Sequence, residues 1–291
     1  MSLVNCVIVN YNDFDKTAGL VRLIENYGCL HRIVVVDNAS TDDSMDRLRA
    51  LESQKVVILQ ADSNGGYGAG NNYGVRYSMR QTGADYVIIA NPDVVFTEAC
   101  VEKLARVLDR YPDVGVSAAA MEDPQYGGKP SGWRLHGFVG ELLNMGPVSR
   151  RIFRHLLEYP QAYFARQPLV AVEVVHGSML MVRGSAFEAC GGYDEKMFLY
   201  QEEVVLGQRM RQAGYRTAML TRTFYQHEHS ASIGKTFQKQ AARQQLRHDS
   251  TIYYFKQYLG INRIQEMVAG LWFLGIMAEI RIWELVTGWN K

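Results

Sequence analysis

Four short apolar runs, rich in β-branched residues and each closed by polar or small residues, set the pattern of the first third of the chain. LVNCVIV at 3–9, RIVVV at 32–36, VVIL at 56–59 and YVIIA at 86–90 lack the alternation of a half-exposed strand and read as buried parallel strands. Segments 15–27, 41–53 and 69–82 between them have helical length, so the alternation predicts an α/β fold: a doubly wound, mostly parallel open sheet flanked by helices. A helix over 98–110 follows. From 121 to 170 the pattern is broken by Gly127, Gly128, Pro130, Gly132, Pro147, Pro160 and Pro168 and reads as an irregular excursion. Periodicity returns in strands at 170–175 and 178–183, a helical stretch over 203–213 and a third strand near 216–221. The remainder reads as helical, which predicts one domain over 1–235 and a helical C-terminal extension over 236–291.

Sheets of this kind bind ligands beyond the carboxyl ends of their strands. The four runs are followed by Asn10-Tyr11-Asn12, Asp37-Asn38-Ala39-Ser40, Asn64-Gly65-Gly66 and Asn91-Pro92-Asp93. Each alone is an ordinary turn or helix cap; all four on one edge predict a binding site. Asp37 can accept hydrogen bonds from the N–H edge of a base or from a ribose hydroxyl, with Tyr11 offering a stacking face, or can cap a helix together with Ser40. In the segment from Asn64 to Asn72, Gly65, Gly66 and Gly68 allow backbone to approach a ribose or diphosphate, with Asn71 beside them. Its G-x-G-x-G spacing, after the third strand, does not match a dinucleotide-binding fingerprint.

Asp93 ends the fourth run, where a hard oxygen ligand suits Mg²⁺ or Mn²⁺ bridging to phosphates. Glu202 and Glu203 open a helix, where acidic residues meet the helix dipole favourably; either also suits a general base. His227 and His229 follow a strand and can supply an imidazole to a metal or a donor to a diphosphate.

Composition narrows the partners. Lys and Arg total 31 against 30 for Asp and Glu, so no global field favours nucleic acid, and 47% hydrophobic residues suffice for a buried core. Cys6, Cys29, Cys100 and Cys190 form no C-x-x-C pair, and no basic segment and apolar stretch precede the first strand, so a cytoplasmic location is expected. Residues 267–278 carry no charge but are too short to span a bilayer. They fit a buried helix, an interfacial membrane helix aided by Trp272, Trp283 and Trp289, or a homodimer contact. Lys235, Lys239, Arg243 and Arg247 recur every four residues, either as a solvated helix face or as a surface for anionic headgroups.

Taken in order, VIVNYN at 7–12, VVVDNAST at 34–41, NGGYGAGNN at 64–72, NPDV at 91–94, GGYDEKMFLYQEE at 191–203 and HEHSAS at 227–232 resemble the family 2 glycosyltransferases of the GT-A fold. The chain resembles in particular bacterial rhamnosyltransferase-like members that build cell-surface polysaccharides, and the resemblance covers roughly residues 3–235. It implies an inverting single displacement from a nucleotide diphosphate sugar, with dTDP-rhamnose the favoured donor and a glycan or lipid-linked glycan the acceptor. It places Asp93 as the metal-binding aspartate, Asp37 as a base-contacting aspartate, and His227 as a metal or diphosphate ligand. Asn91, Asn10, Asn38 and Ser40 are further donor-side candidates, and Trp133 and His229, with the excursion over 121–170, are acceptor-side candidates that the resemblance does not specify residue by residue.

Two departures stand out. The family commonly has Asp after Glu, then a further acid two residues on, where this chain has Glu202-Glu203-Val204-Val205, so the base is either Glu203 or Glu202. Asn91 also replaces the first acid of the familiar D-x-D, leaving fewer protein charges for a cation. A non-catalytic nucleotide-sugar binding module is the alternative that the first departure raises.

Overall fold

The computed structural model describes residues 2–122, 132–227 and 240–287. In chain order the elements are β1 (Val4–Asn10), α1 (Phe14–Ile24), β2 (Arg32–Asp37), α2 (Ser44–Arg49), β3 (Val56–Gln60), α3 (Gly66–Thr82), β4 (Tyr86–Ala90), β5 (Val94–Val95), α4 (Glu98–Arg110) and β6 (Val114–Glu122). There follow β7 (Gly132–Trp133), α5 (Phe138–Met145), α6 (Pro147–Ile152), α7 (Arg154–Leu157), α8 (Gln161–Arg166), β8 (Leu169–Val172), β9 (Val174–Val175), β10 (Met179–Arg183), α9 (Gly184–Ala189), α10 (Glu202–Gln212) and β11 (Arg216–His227). Two helices, α11 (Gln240–Tyr258) and α12 (Arg263–Thr287), complete the described chain.

The main sheet runs β3-β2-β1-β4-β10-β6-β11-β5, with β8 beside β11. Strands β1 to β4 pair in parallel, as do β6 and β11, whereas β10 enters antiparallel between β4 and β6. The continuous apolar runs follow from cover on both faces. Cys6 and Ile8 join the core beneath α1 and α4, while Val7 joins the core beneath α3 and α10, and Ile33, Val35 and Val34, Val36 divide the same way. A third, smaller core joins Leu142 of α5, Val204 and Val205 of α10, Tyr254 and Phe255 of α11 and Ala269 of α12.

Three departures from expectation have physical causes. β6, a buried Val-Gly-Val-Ser-Ala-Ala-Ala strand, is poor in large β-branched residues because strands on both sides and α4 press on it; Ser117 even donates to the Leu104 carbonyl at 3.1 Å. The excursion over 121–170 holds four short helices, α5 to α8, whose prolines at 147 and 160 start helices, where no N–H is missed, instead of merely breaking them. The last main-sheet strand extends to His227 through a register shift, which carries it to the ligand-binding edge.

Arg183 at the end of β10 ties the centre of the sheet together. It donates to the carbonyls of Leu108, Tyr111 and Val114 at 2.5, 3.2 and 3.1 Å, so a cation satisfies the C-terminal end of α4. Replacing Arg183 by Leu removes all three of these bonds, although the Tyr111 carbonyl keeps the Val114 N–H at 3.0 Å. The expected loss is about 2–3 kcal/mol in urea unfolding, with the denaturant slope unchanged.

Candidate active site

The carboxyl ends of β1, β2, β4 and β11 open onto one cleft of about 640 Å³. Its walls include Tyr11 and Asp13 after β1, Asn38 after β2, Asn64, Gly66, Tyr67 and Asn71 at the start of α3, and Asn91 to Asp93 after β4. Residues 176–178, between β9 and β10, form the floor, and the stretch from Phe198 to Glu203, at the start of α10, faces them. His227 and Arg247 close the ring.

Each side chain is placed by local chemistry. Asn38 donates to Asn64 Oδ1 at 2.9 Å and to the Gly66 carbonyl at 3.1 Å, while Asn64 Oδ1 also accepts from the Gly66 N–H at 3.0 Å. Gly66 has φ +84°, and a Cβ there would lie 2.2 Å from the Phe198 carbonyl oxygen, so no other residue allows this contact across the cleft. The other glycines of the loop serve packing: Gly68 lies against Tyr193, and Gly74 lets α3 press onto Val7 and Val36.

Asp37 is fully buried, and its carboxylate accepts from Asn10 Nδ2 at 2.9 Å, Ser40 Oγ at 2.6 Å and the Ser40 N–H at 3.0 Å. Asn10 Oδ1 in turn accepts from Thr17 at 2.8 Å. The triad of Asn10, Asp37 and Ser40 therefore sits behind the cleft wall, joining β1, β2 and α1. Neither these three nor Gly65, Gly68 and Trp133 line the cleft. Trp133 pairs with Val174 in a two-stranded ribbon and packs against the third core. His229, Lys235 and Lys239 lie outside the described residues.

Pairing of β11 with β5 sets His227 opposite Val94, which brings His227 Nε2 to 3.2 Å from Asp93 Oδ1, both nearly buried. His176 faces the His227 ring edge-on at 5.6 Å and shares a 2.9 Å hydrogen bond with Ser178, which bonds Tyr225 OH at 2.7 Å. Among the described residues no group of three His, Cys, Asp or Glu side chains gathers as a metal cage. An oxygen and an imidazole nitrogen side by side nevertheless fit a divalent cation that takes its other ligands from phosphate and water.

Glu202 and Glu203 differ sharply in setting. Glu202 is 6% exposed, and burial first, the adjacent Glu203 second, push its carboxyl well above the ordinary carboxylate range. Glu203 reaches into the cleft and accepts from the Gly177 N–H at 3.3 Å; the Gly177 carbonyl accepts from Tyr67 OH at 2.6 Å. A Cβ at position 177 would meet Glu203 Oε1 at 2.8 Å, so glycine leaves the carboxylate its room. The backbone entering α10 is left-handed at two consecutive non-glycine residues, Tyr200 (φ +73°) and Gln201 (φ +67°), a strain sited at the cleft. His176, Tyr67, Ser178 and Gln201 are cleft residues that sequence reasoning missed. Tyr67 and Gln201 lay inside the motifs at 64–72 and 191–203, and the signal for His176 and Ser178 was the short polar gap between two apolar strands.

A half-parallel sheet with this antiparallel insertion, an acid at the end of β4 and a paired acid at the start of α10 define a glycosyltransferase of the GT-A fold. The chain belongs to glycosyl transferase family 2, whose family model matches residues 6–190; a glycosyl transferase family 21 model matches residues 155–284. Among curated relatives, the N-acetylglucosaminyl-diphospho-decaprenol L-rhamnosyltransferase of Mycobacterium tuberculosis is 27% identical over 218 residues, which cover 70% of this chain and 68% of that protein. The low-salt glycan biosynthesis hexosyltransferase Agl10 of Haloferax volcanii is 25% identical over 209 residues, 72% of this chain and 61% of its own length. The fold matches the mannosyltransferase PcManGT from Pyrobaculum calidifontis, solved with GDP-Man and Mn²⁺, at a TM-score of 0.61 and 15% identity, over 98% of this chain and 75% of that one.

The raised Glu202 makes stability pH-dependent with a definite sign. The folded protein holds this proton above the ordinary glutamate value of 4.5, so the stability tied to it is full below that pH and is lost as pH rises towards the folded value. Glu202→Gln cannot ionise. Its melting temperature should match the parent's in mild acid and exceed it in mild alkali; equal melting curves at both pH values would show that Glu202 is not desolvated.

Proposed function

We propose that the chain moves a sugar, with rhamnose from dTDP-rhamnose favoured, from a nucleotide diphosphate donor to a glycan or lipid-linked glycan acceptor in cell-surface polysaccharide synthesis. The observation that carries this reading is the position of Glu203, held by Gly177 in the same cleft as the Asp93–His227 pair. The rhamnosyltransferase name of the Mycobacterium tuberculosis relative supports the choice of sugar and of a lipid-diphosphate-linked acceptor. The acidic pair at the start of α10 supports an inverting displacement, in which one carboxylate serves the acceptor on the face opposite the departing nucleotide.

In this mechanism the donor nucleotide enters beside Tyr11, which stacks on the base, and Asn38, Asn64 and Asn71 offer hydrogen bonds to ribose and phosphate. Asp37, Asn10 and Ser40 contribute by fixing the two strand ends that carry Tyr11 and Asn38. Asp93 and His227 would hold Mg²⁺ or Mn²⁺, whose charge would neutralise the diphosphate; Mn²⁺ in the mannosyltransferase PcManGT supports this. Arg247, stacked 5.0 Å from the Tyr200 ring at the cleft wall, adds a second positive charge towards the leaving group.

Glu203 takes the proton from the acceptor hydroxyl as that oxygen attacks the anomeric carbon and the sugar–phosphate bond breaks; such a base contributes about 10²–10⁴-fold. Of the two acids, Glu202 favours the protonated form in its buried setting, which leaves Glu203 as the acceptor of the proton. A panel of UDP-, GDP- and dTDP-sugars with Mn²⁺ or Mg²⁺ tests the reading. Glu203→Gln should keep donor binding while kcat falls about 10²–10⁴-fold, and Asp93→Ala should weaken metal-dependent donor binding. Tight nucleotide binding by the parent protein without turnover on any acceptor would instead identify a non-catalytic binding module.

A further inference from the structure

Between Met267 and Ala278, α12 carries no charge on either face. Its inner side is buried at Ala269 and Ile276 and is latched where Trp272 Nε1 donates to the Leu142 carbonyl at 2.8 Å. On the outer side Ile264, Met267, Val268, Leu271 and Leu274 are 40–69% exposed, and Gly275 and Ala278 continue the exposed stripe. From 264 to 278 the stripe follows helical spacing without a charge, a length of roughly 21 Å at about 1.5 Å per residue. Isolated exposed apolar residues are ordinary, but a contiguous stripe of this length marks a covered surface.

A second segment lies against the same helix. The Val148 N–H donates to Glu279 Oε1 at 3.1 Å, and Gly146 sits beside Ile276, so the α6–α7 segment adjoins the far half of the stripe. It exposes Val148, Ile152 and Leu156, spaced four residues apart, at 54–61%. Arg150, Arg151 and Arg154 are exposed among them, with Glu158 the only acid in the segment and shared by two of the three arginines.

We propose that α12 and the α6–α7 segment together seat the protein on an anionic lipid surface. Apolar side chains would enter the boundary between headgroups and acyl chains, and the arginines would lie among the phosphates. Charge selects this occupant. Three exposed arginines against one shared acid leave this surface positive, which a layer of anionic headgroups complements and a second copy carrying the same positive surface does not. No helix among the described residues is long and apolar enough to cross a membrane, which fits a helix lying in the interface.

The fold carries this surface to the cleft. α11 stands between them: His248 stacks on Phe273 of α12 at 3.8 Å, while Ser250 donates to the Leu199 carbonyl at 2.6 Å and Thr251 accepts from Gln201 at 3.3 Å. The strained turn that presents Glu202 and Glu203 is thus braced by the helix that rests on α12. In combination with the reading above, on which it partly rests, this holds the cleft mouth near a lipid-borne acceptor.

Co-sedimentation with vesicles of phosphatidylcholine alone, or of phosphatidylcholine mixed with phosphatidylglycerol, tests the proposal without needing turnover. Binding should require phosphatidylglycerol. The combined change Arg150→Gln, Arg151→Gln and Arg154→Gln should weaken it by about tenfold or more, as should Met267→Gln with Leu271→Gln and Leu274→Gln. Both variants should keep the parent's circular dichroism and its turnover of a water-soluble acceptor. Absence of binding to the mixed vesicles overturns the proposal. So does vesicle binding that neither variant weakens, or a concentration-dependent dimer, abolished by the leucine variant, in a protein that ignores vesicles. Loss of transferase activity with vesicle binding intact would bear on the catalytic reading alone.

Discussion

The buried side chain of Asn72 holds the two halves of the site together. From α3 it donates to the Tyr193 carbonyl and to Glu195 Oε1, and accepts from the Tyr193 N–H, each at 2.9 Å. These bonds join the nucleotide half of the sheet to a loop more than a hundred residues further on, in a place where an unpaired amide would be costly. The same loop then runs past Gly66, where the Phe198 carbonyl accepts from the Tyr67 N–H at 3.3 Å, and enters α10. Without this fastening the acidic start of α10 would have no fixed relation to the ends of β1, β2 and β4.

Once that relation is set, the site holds features that stability alone does not favour. Tyr200 and Gln201, consecutive and neither a glycine, take left-handed backbone, and the Glu202 carboxyl is buried with its Oε1 lacking a hydrogen-bond partner. Strain and an unsatisfied acid in one turn are the kind of local cost that folds accept where chemistry is performed. The apolar side of the same helix explains the departure from the family's acidic pattern. Val205 is fully buried against Tyr254 and Phe255 of the C-terminal helices, so an acid there would be desolvated without a partner.

Much of this was legible in the sequence because a sheet covered on both faces leaves unbroken apolar runs, and the polar residues closing them mark its ligand-binding edge. The four runs, the convergence of Asn38, Asn64, Asn91 and Asp93, and the acidic start of α10 all read directly. What did not read has a common cause in tertiary context. β6 is built of small residues because its neighbours demand them, and α5 to α8 are too short to establish a period. Asp37 looked equally suited to a ligand and to a cap; only its fully buried ring with Asn10 and Ser40 shows what it touches. His176 and Arg247 come from distant parts of the chain, and nothing local marks them as neighbours of Asp93 and Glu203.

The most direct measurement is a crystal structure of the protein with Mn²⁺ and a nucleotide diphosphate, dTDP first. The account predicts the base beside Tyr11, the cation on Asp93 and His227 with the diphosphate as its further ligand, and open space in front of Glu203 for the acceptor. A nucleotide bound elsewhere, or a diphosphate lying against Glu203 with no cation at Asp93, would contradict it.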